Sequence, residues 1–556
     1  MNLLDGLRAT AERRSGHGVS ILRRDRKPAM VMCYEELYQA AGRLAARLAD
    51  RGVAPDDRVA VVLPTSLDFA RAFFGVLAAG AVAVPLPGPP RIGSPQAYLR
   101  RTAAAVQRSQ VRTVLTTSSS VPLLTALHES GAVPVTVLDV RDALADETHF
   151  APRTPSDDAL IQYTSGSGGD PRGVVLSHGN LAAGVEAIAR GTALTASDIG
   201  CTWLPLFHDM GLIGSFLTPI LHDAAIHLLT TDHFLWDPLG WLDAMSRLGA
   251  TFTMAPDSGY RYLLRRVGPD LPAGLDLSRW RIAVNGAEPV DRRLQEAFVE
   301  RFAAAGLAAD IFLPAYGLAE ATLAVTFPPL GQPARTLRAQ RTALSRGQFV
   351  PVSRADAPHR ELVSVGSPVA GVQVRLVDEE GRSVLEDRVG AIEVRGTPVS
   401  SQGYDRQPEQ TREVLRADGW LATGDLGLQQ DGELYIVGRI KETIIVFGAN
   451  YWASDIEGVI RNIPDLPVHG VLAQQLHTDD RTGLGLVIET TERDASAQES
   501  ISQRIRGELN AALGIFADQI TYVRRGGISR TTSGKVVRSP LTTVQPIPVA
   551  HAEGSS

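Results

Sequence analysis

The sequence predicts an α/β protein: a large multi-subdomain N-terminal domain on mainly parallel sheets, with a β-rich portion, and a small mobile α+β C-terminal domain. Three observations carry this prediction. Apolar runs of strand length alternate with amphipathic helical stretches through the first part of the chain, the pattern of parallel sheets covered by helices. From about Val365 the runs shorten and are separated by acidic-glycine turns, which reads as more antiparallel. After Gly438 a small mixed segment follows.

The elements can be justified in order. RVAVVL (58–63) and AVAVPL (81–86) are apolar runs flanking SLDFARAFFGVLAAG, which has helical period and Ser66 as N-cap. VRTVLTT (111–117), VPVTVLD (133–139), GCTWLPL (200–206), AIHLLT (225–230), TFTMAP (251–256) and WRIAVNG (280–286) read as buried strands. PLGWLDAMSRLG and DRRLQEAFVERFAAAG read as helices between or after them. VQVRLVDEEGR, GAIEVRG and GELYIVGR form the β-rich portion. The small segment has a helix near 453–461, a strand near 469–472 and a helix near 498–513. The division is 1–438 and 439–556, with two glycine-linked strands running into a hinge at Arg439 to Lys441.

With 556 residues, one compact core is too little, so at least two domains are expected. A net charge of −6 leaves no electrostatic footprint for nucleic acid. The apolar stretch at 74–86 is too short to span a bilayer, and the first residues lack the apolar core of a secretory signal. A cytoplasmic protein without a membrane span is the expectation. Two cysteines, Cys33 and Cys201, build neither a disulfide framework nor a zinc cluster. Of 55 basic residues only three are lysines, Lys27, Lys441 and Lys535. Codon preference explains most of that bias, but it raises the question of why lysine is kept where it is.

Residues 159–180 (ALIQYTSGSGGDPRGVVLSHGN) run from an apolar strand into Thr164, Ser165, Gly166, Ser167, Gly168 and Gly169, then into a second run and a helix start at 177–180. Glycines let backbone N–H groups turn inward around phosphate, and the hydroxyls add donors. The loop is neither a Walker A loop nor a dinucleotide fingerprint, since no GK[ST] follows and no helix begins at the glycines. Taken alone, it reads equally as a Gly/Ser surface loop. Four further constellations stand in order behind it: NGAEP (285–289), PAYGLAEAT (314–322), GWLATGDL (419–426), and the pair GRIKE (438–442) and TTSGK (531–535).

With these motifs the chain, from about residue 30 to 540, resembles the adenylate-forming superfamily of acyl-CoA synthetases, peptide-synthetase adenylation domains and luciferases. Within it the chain most resembles the fatty acyl-AMP ligases, through LPLFHDMGL (204–212), YGLAEAT (316–322) and an apparent polar, Arg-rich insertion at about 336–360. That insertion resembles the one said to set acyl-AMP ligases apart by restraining the domain arrangement that CoA needs.

The resemblance implies activation of a fatty carboxylic acid with ATP and Mg²⁺ to acyl-AMP and pyrophosphate, then transfer to a thiol. It assigns Thr164, Ser165, Gly166, Ser167 and Gly168 to the phosphates, and Glu320 to Mg²⁺, a hard ion suited to carboxylate oxygen. Gly286, Ala287 and Glu288 with Tyr316 and Gly317 would hold adenine, Asp425 the ribose hydroxyls, and Arg439 the ribose side. Lys535 would bridge the carboxylate and the α-phosphate, which a compact ammonium does and a planar guanidinium does not. His208 stands where an aromatic usually gates the acyl pocket and reads as positioning; a fatty acid is already ionised at pH 7 and needs no base. Met210, Leu212, Ile213 and Phe216, at helical spacing, are core or tunnel wall. The chain departs from the family at Gly168, where threonine is usual, at Arg172, where lysine is common, and at Glu442, where the hinge usually has Asp.

Asp257-Ser258-Gly259 lies inside the large domain, not at the head of a carrier helix, so the implied acceptor is an acyl carrier protein in trans. The alternatives are an acyl-CoA synthetase with an unrelated loop, an amino-acid adenylation enzyme with Asp209 facing the amine, and a catalytically silent nucleotide-binding homologue.

Overall fold

The computed structural model describes residues 2–23, 28–89, 95–129, 135–142, 145–164, 171–268, 270–352, 359–446, 449–477, 482–530, 536 and 538. Two parallel sheets form the body of the chain. The first has seven strands in the order Phe312–Pro314, Ile282–Asn285, Phe252–Ala255, Ile199–Thr202, Ala225–Leu228, Gly18–Leu22 and Pro28–Cys33. Only the last pairing is antiparallel. The second has six, in the order Thr136–Asp139, Thr113–Thr116, Arg58–Val61, Val82–Pro85, Asp158–Thr164 and Arg172–Ser177. It too ends in an antiparallel pair, the hairpin that carries the predicted phosphate loop at its tip.

The local signals are met by the expected chemistry. Ser66 caps the helix Leu67–Ala78 by accepting the Phe69 N–H, and Ser177 caps His178–Gly191 in a reciprocal box with Asn180. The stretch at 74–86 divides into the end of that first helix and the strand Val82–Pro85, as its glycines and proline require. One helix differs from the expected form. Met210–Leu217 is a π-helix, and all eight of its residues are buried. The extra residue per turn is stabilised at its end, where Thr218 donates both its N–H and its hydroxyl to the Ile213 carbonyl. Such turns recur at functional sites.

The β-rich portion is a four-stranded antiparallel sheet, Val372–Val377, Gly390–Gly396, Leu421–Gln430 and Glu433–Arg439. Beyond it, residues from Ile444 to Tyr522 form their own hydrophobic cluster. That cluster is built from the hairpin Thr443–Val446/Ala449–Trp452, a three-stranded sheet and the helices Ala453–Arg461 and Ala495–Leu513. Among the described residues, no helix is long and apolar enough to cross a membrane.

The predicted insertion is more ordered than its polar composition implies. Thr336–Gln340 pairs with His359–Val363, with a short helix Arg341–Leu344 following the first strand. Ala339, Leu344 and Leu362 pack with Leu428, Tyr435, Val437 and Trp452 into a separate cluster. Trp452 belongs to the small hairpin, so this cluster joins the insertion to both the four-stranded sheet and the C-terminal segment. A side chain at Gly438 would put its Cβ 2.1 Å from the Trp452 ring, so this position needs glycine.

Candidate active site

The site lies where the C-terminal ends of parallel strands open into loops, the usual place for ligands in such sheets. Gln162, two residues before the phosphate loop, donates to the Phe207 carbonyl at 2.8 Å, tying the loop hairpin to the His208 segment. Thr164 pairs with Arg172 across that hairpin, and its hydroxyl reaches the Arg172 carbonyl at 3.5 Å. Ser165, Gly166, Ser167 and Gly168 lie outside the described residues, as do Lys27 and Lys535.

On the nucleoside side the predicted residues meet directly. The Tyr316 hydroxyl donates to Asp425 Oδ2 at 2.7 Å, and Arg439 Nε lies 2.9 Å from Asp425 Oδ1. Asp425 and Arg439 are partners in neighbouring strands, so the pair follows from sheet register. Burial, then the charge of Asp425, holds the Tyr316 phenol well above its ordinary range. Arg439 is raised by Asp425. A carboxylate has about four acceptor positions, so Asp425 keeps capacity for a diol. Gly317 permits the close pairing behind Tyr316: a Cβ there would fall 1.8 Å from the Leu323 carbonyl oxygen.

The 286–288 turn follows the strand Ile282–Asn285 as expected. Ala287 sits at φ +66°, a left-handed conformation costly for a residue with a Cβ. Its neighbours hold it there. Glu288 Oε2 accepts the Ser258 N–H at 2.8 Å, and Asp257 Oδ2 accepts the Asp291 N–H at 2.9 Å. Arg261 lies 2.8 Å from Asp291. The Glu288 carboxylate is thus engaged with the helix Asp257–Arg266, and the turn is cross-linked to that helix. Asp257 is buried, its Oδ1 has no partner, and burial pushes its carboxyl up to about 7.

His208 Nδ1 lies 2.7 Å from Asp209 Oδ1, a distance that places the Nδ1 proton between them. That contact orients the ring. Asp209 also accepts the Met210 N–H at 2.7 Å. Phe216 packs against Phe69 and Phe74, so it belongs to the core. The Tyr404 hydroxyl donates to Glu320 Oε1 at 2.7 Å. Burial raises the Glu320 carboxyl, Asp209 raises it further, and Arg439 lowers it. Glu320 thus feels the charges of Asp209 and Arg439. A single carboxylate such as Glu320 suits a hard divalent cation that takes its remaining oxygens from phosphate and water.

Sequence reasoning did not assign Gln162, Asp257 or Tyr404 to the site. Tyr404 stands in GYDRQPEQT, which looks like a turn and helix start, and its partner is 84 residues away. Asp257 had been read only as part of a failed carrier motif. Its signal was an acidic residue directly after a buried strand and proline.

The insertion closes the other side of the boundary. Arg360 Nη2 lies 3.0 Å from Asp455 Oδ1, with side chains 12% and 16% exposed. The Arg360 guanidinium also stands 4.9 Å from the centre of the Trp452 ring. Burial works against both charges, lowering Arg360 and raising Asp455, and each partner offsets the other's cost.

Residues 10–404 match the family model described as AMP-binding enzyme. A medium-chain-fatty-acid–[acyl-carrier-protein] ligase of Moorena producens is 33% identical over 94% of this chain and 90% of its own. A long-chain-fatty-acid–AMP ligase of Mycobacterium tuberculosis is 35% identical over 91% and 90%. Among solved structures, one from a study of fatty acyl-adenylate ligases of E. coli and L. pneumophila superposes with TM-score 0.89. It is 32% identical and covers 97% of this chain and 96% of that one. A fatty acyl-adenylate ligase of L. pneumophila in complex with acyl adenylate and pyrophosphate gives TM-score 0.75 at 30% identity, covering 95% and 94%. The chain belongs to the AMP-binding, adenylate-forming enzymes, ligases that activate an acid as its acyl-adenylate.

Proposed function

We propose that the protein is a fatty acyl-AMP ligase that hands its product to an acyl carrier protein in trans. The fatty carboxylate oxygen attacks the α-phosphorus of ATP, the bond to the β-phosphate oxygen breaks, and pyrophosphate leaves. The carrier's phosphopantetheine thiol then attacks the acyl carbonyl, loses its proton and releases AMP. Two anions meet in the first step, so the residues must cancel charge where it develops.

In this reading Tyr316 and Gly317, with Gly286, Ala287 and Glu288, hold adenine on a turn already cross-linked to its helix. Asp425 accepts the ribose hydroxyls while Arg439 fixes its orientation. Thr164, Ser165, Gly166, Ser167 and Gly168 receive the phosphates. His208, held by Asp209, positions the acyl end. Lys535 bridges the two reacting anions. Glu320, with Asp209 beside it, would hold Mg²⁺, which when bound supplies positive charge to the triphosphate. The chain divides at about residue 439 into a body (1–438) and a lid (439–556) that must turn between the two half-reactions.

The observation that carries the ligase reading over an acyl-CoA synthetase is the Arg360–Asp455 pair seated on Trp452, which fixes the insertion to the lid's first helix. The names of the relatives support the fatty substrate and the carrier acceptor. The test is a panel of carboxylic acids with ATP, with mass detection of acyl-AMP, repeated with free CoA. Fatty acyl-AMP without matching acyl-CoA is expected; acyl-CoA formed as fast as acyl-AMP would mean a CoA synthetase. Lys535→Arg should keep the fold and lower acyl-AMP formation by about 10², as for loss of one charge-stabilising donor.

A further inference from the structure

Arg172 begins the second strand of the phosphate-loop hairpin, and its side chain turns to Tyr404. Its guanidinium stacks on the Tyr404 ring at 5.0 Å, and Nη1 reaches the Tyr404 hydroxyl at 3.4 Å. That hydroxyl in turn donates to Glu320 Oε1 at 2.7 Å. Arg172 is thus linked through one aromatic side chain to the carboxylate at the far side of the phosphate site. Its backbone is the end of the phosphate loop, paired with Thr164 at the other end.

The support around Tyr404 is stiff. Residues 403–405 lie along the loop hairpin: Val175 N–H donates to the Gly403 carbonyl at 3.0 Å and Asp405 N–H to the Gly173 carbonyl at 2.7 Å. The Tyr404 N–H is taken by the Thr411 hydroxyl at 2.9 Å, and Asp405 is paired with Arg58 at 3.0 Å. Glu320 is fixed at its backbone, where its carbonyl accepts the Ser400 N–H at 2.8 Å. The hydroxyl at the end of this frame therefore meets the carboxylate at one defined place.

We infer that Tyr404 is a positioning residue that orients Glu320 toward the metal-bound triphosphate, and that Arg172 acts on Glu320 through Tyr404 rather than by contacting phosphate. The inference deepens the proposed reaction and rests on it. It changes the meaning of the Arg172 departure. A lysine has no plane to stack on the phenol, whereas a guanidinium stacks and donates at once. Arg172, Tyr404 and Glu320 thereby act as one unit.

The test uses the full chain, Tyr404→Phe, Arg172→Ala and the double variant. Phenylalanine keeps the ring, its packing and its seat for the guanidinium, and removes only the hydroxyl. Two readings are made. The first is acyl-AMP formation against free Mg²⁺, with a fatty acid the wild type turns over. The second is calorimetric binding of ATP with and without Mg²⁺. Tyr404→Phe is expected to raise the Mg²⁺ midpoint about tenfold, the effect of one hydrogen bond to a carboxylate. It should weaken Mg²⁺-dependent ATP binding to match, with metal-free ATP binding and melting temperature unchanged. Arg172→Ala should shift the midpoint in the same direction, and the double variant should be no worse than Tyr404→Phe alone. An unchanged or lowered midpoint in Tyr404→Phe overturns the role of Tyr404. Additive effects, or weaker metal-free ATP binding in Arg172→Ala, overturn the route through Tyr404 and return Arg172 to the phosphates. A wild type that forms no acyl-AMP from any acid defeats the proposed function instead, so the two failures are distinguishable.

Discussion

Two carboxylate–arginine pairs lie on either side of the proposed division near residue 439, Asp425–Arg439 and Asp455–Arg360, and they differ in what surrounds them. The first is open on its arginine side only: Asp425, 7% exposed, is shared between Arg439 and the Tyr316 hydroxyl, while the Arg439 side chain is 49% exposed. The second is sealed under an indole, with both members mostly buried. The chemistry is the same and the consequence is not. An open pair is held in place yet can take a further hydrogen-bonding ligand; a sealed pair does little but hold two elements together, because separating it leaves a charge without water. Asp257 supplies a third case, a sealed carboxylate with no arginine on it, and its carboxyl is pushed up to about 7.

The largest effect should come from unsealing. Arg360→Ala leaves Asp455 buried with only the more distant charge of Arg341 to offset it, so the loss should approach about 3–5 kcal/mol, the cost of a broken buried pair. In the proposed reading with a mobile lid, lifting the lid from the insertion would relieve that cost. Denaturant unfolding should show the loss, and acyl-CoA formation with free CoA should rise. An unchanged CoA rate alongside reduced stability would show that the sealed pair stabilises without restraining.

Next in size is Asp257→Asn, read as stability against pH. A carboxyl with a folded pKa of about 7 and an unfolded one near 3.8 favours the native state most at low pH, and that contribution is lost as pH rises through this window. Relative to the wild type, the Asn variant should therefore gain stability from pH 4 to 7, by on the order of 4 kcal/mol, and no more above that. A flat difference would mean that Asp257 has water or a cation beside it. The smallest effect on folding should be Asp425→Asn: melting temperature nearly unchanged, and KM for ATP raised by about tenfold, as for a weakened charge-assisted hydrogen bond. If melting temperature fell as far as in Arg360→Ala, the open pair would be structural after all.

The sequence made some of this legible and hid the rest for physical reasons. Helix starts at Ser66 and Ser177 and the strand end at Asn285 are local events, decided by a cap or a periodicity within a few residues. The Tyr316–Asp425–Arg439 group was expected only through resemblance, since its members are 109 and 14 residues apart in order of contact. Arg360 was unreadable. In a run of arginines it looks solvated, and only the fold reveals that Trp452 covers it. The π-helix at 210–217 shares its apolar composition with an ordinary buried helix, so spacing alone does not separate them.

Gly438 and Trp452 give the molecule a built-in optical reporter. The indole rests where glycine has no side chain, in a cluster shared with the insertion and the four-stranded sheet. Any rotation that carries the small domain off this seat moves Trp452 from an apolar cleft toward water. Its emission should then shift to the red, without any added label. With the other five tryptophans replaced, stopped-flow fluorescence of Trp452 would test whether the proposed lid turns between the two half-reactions.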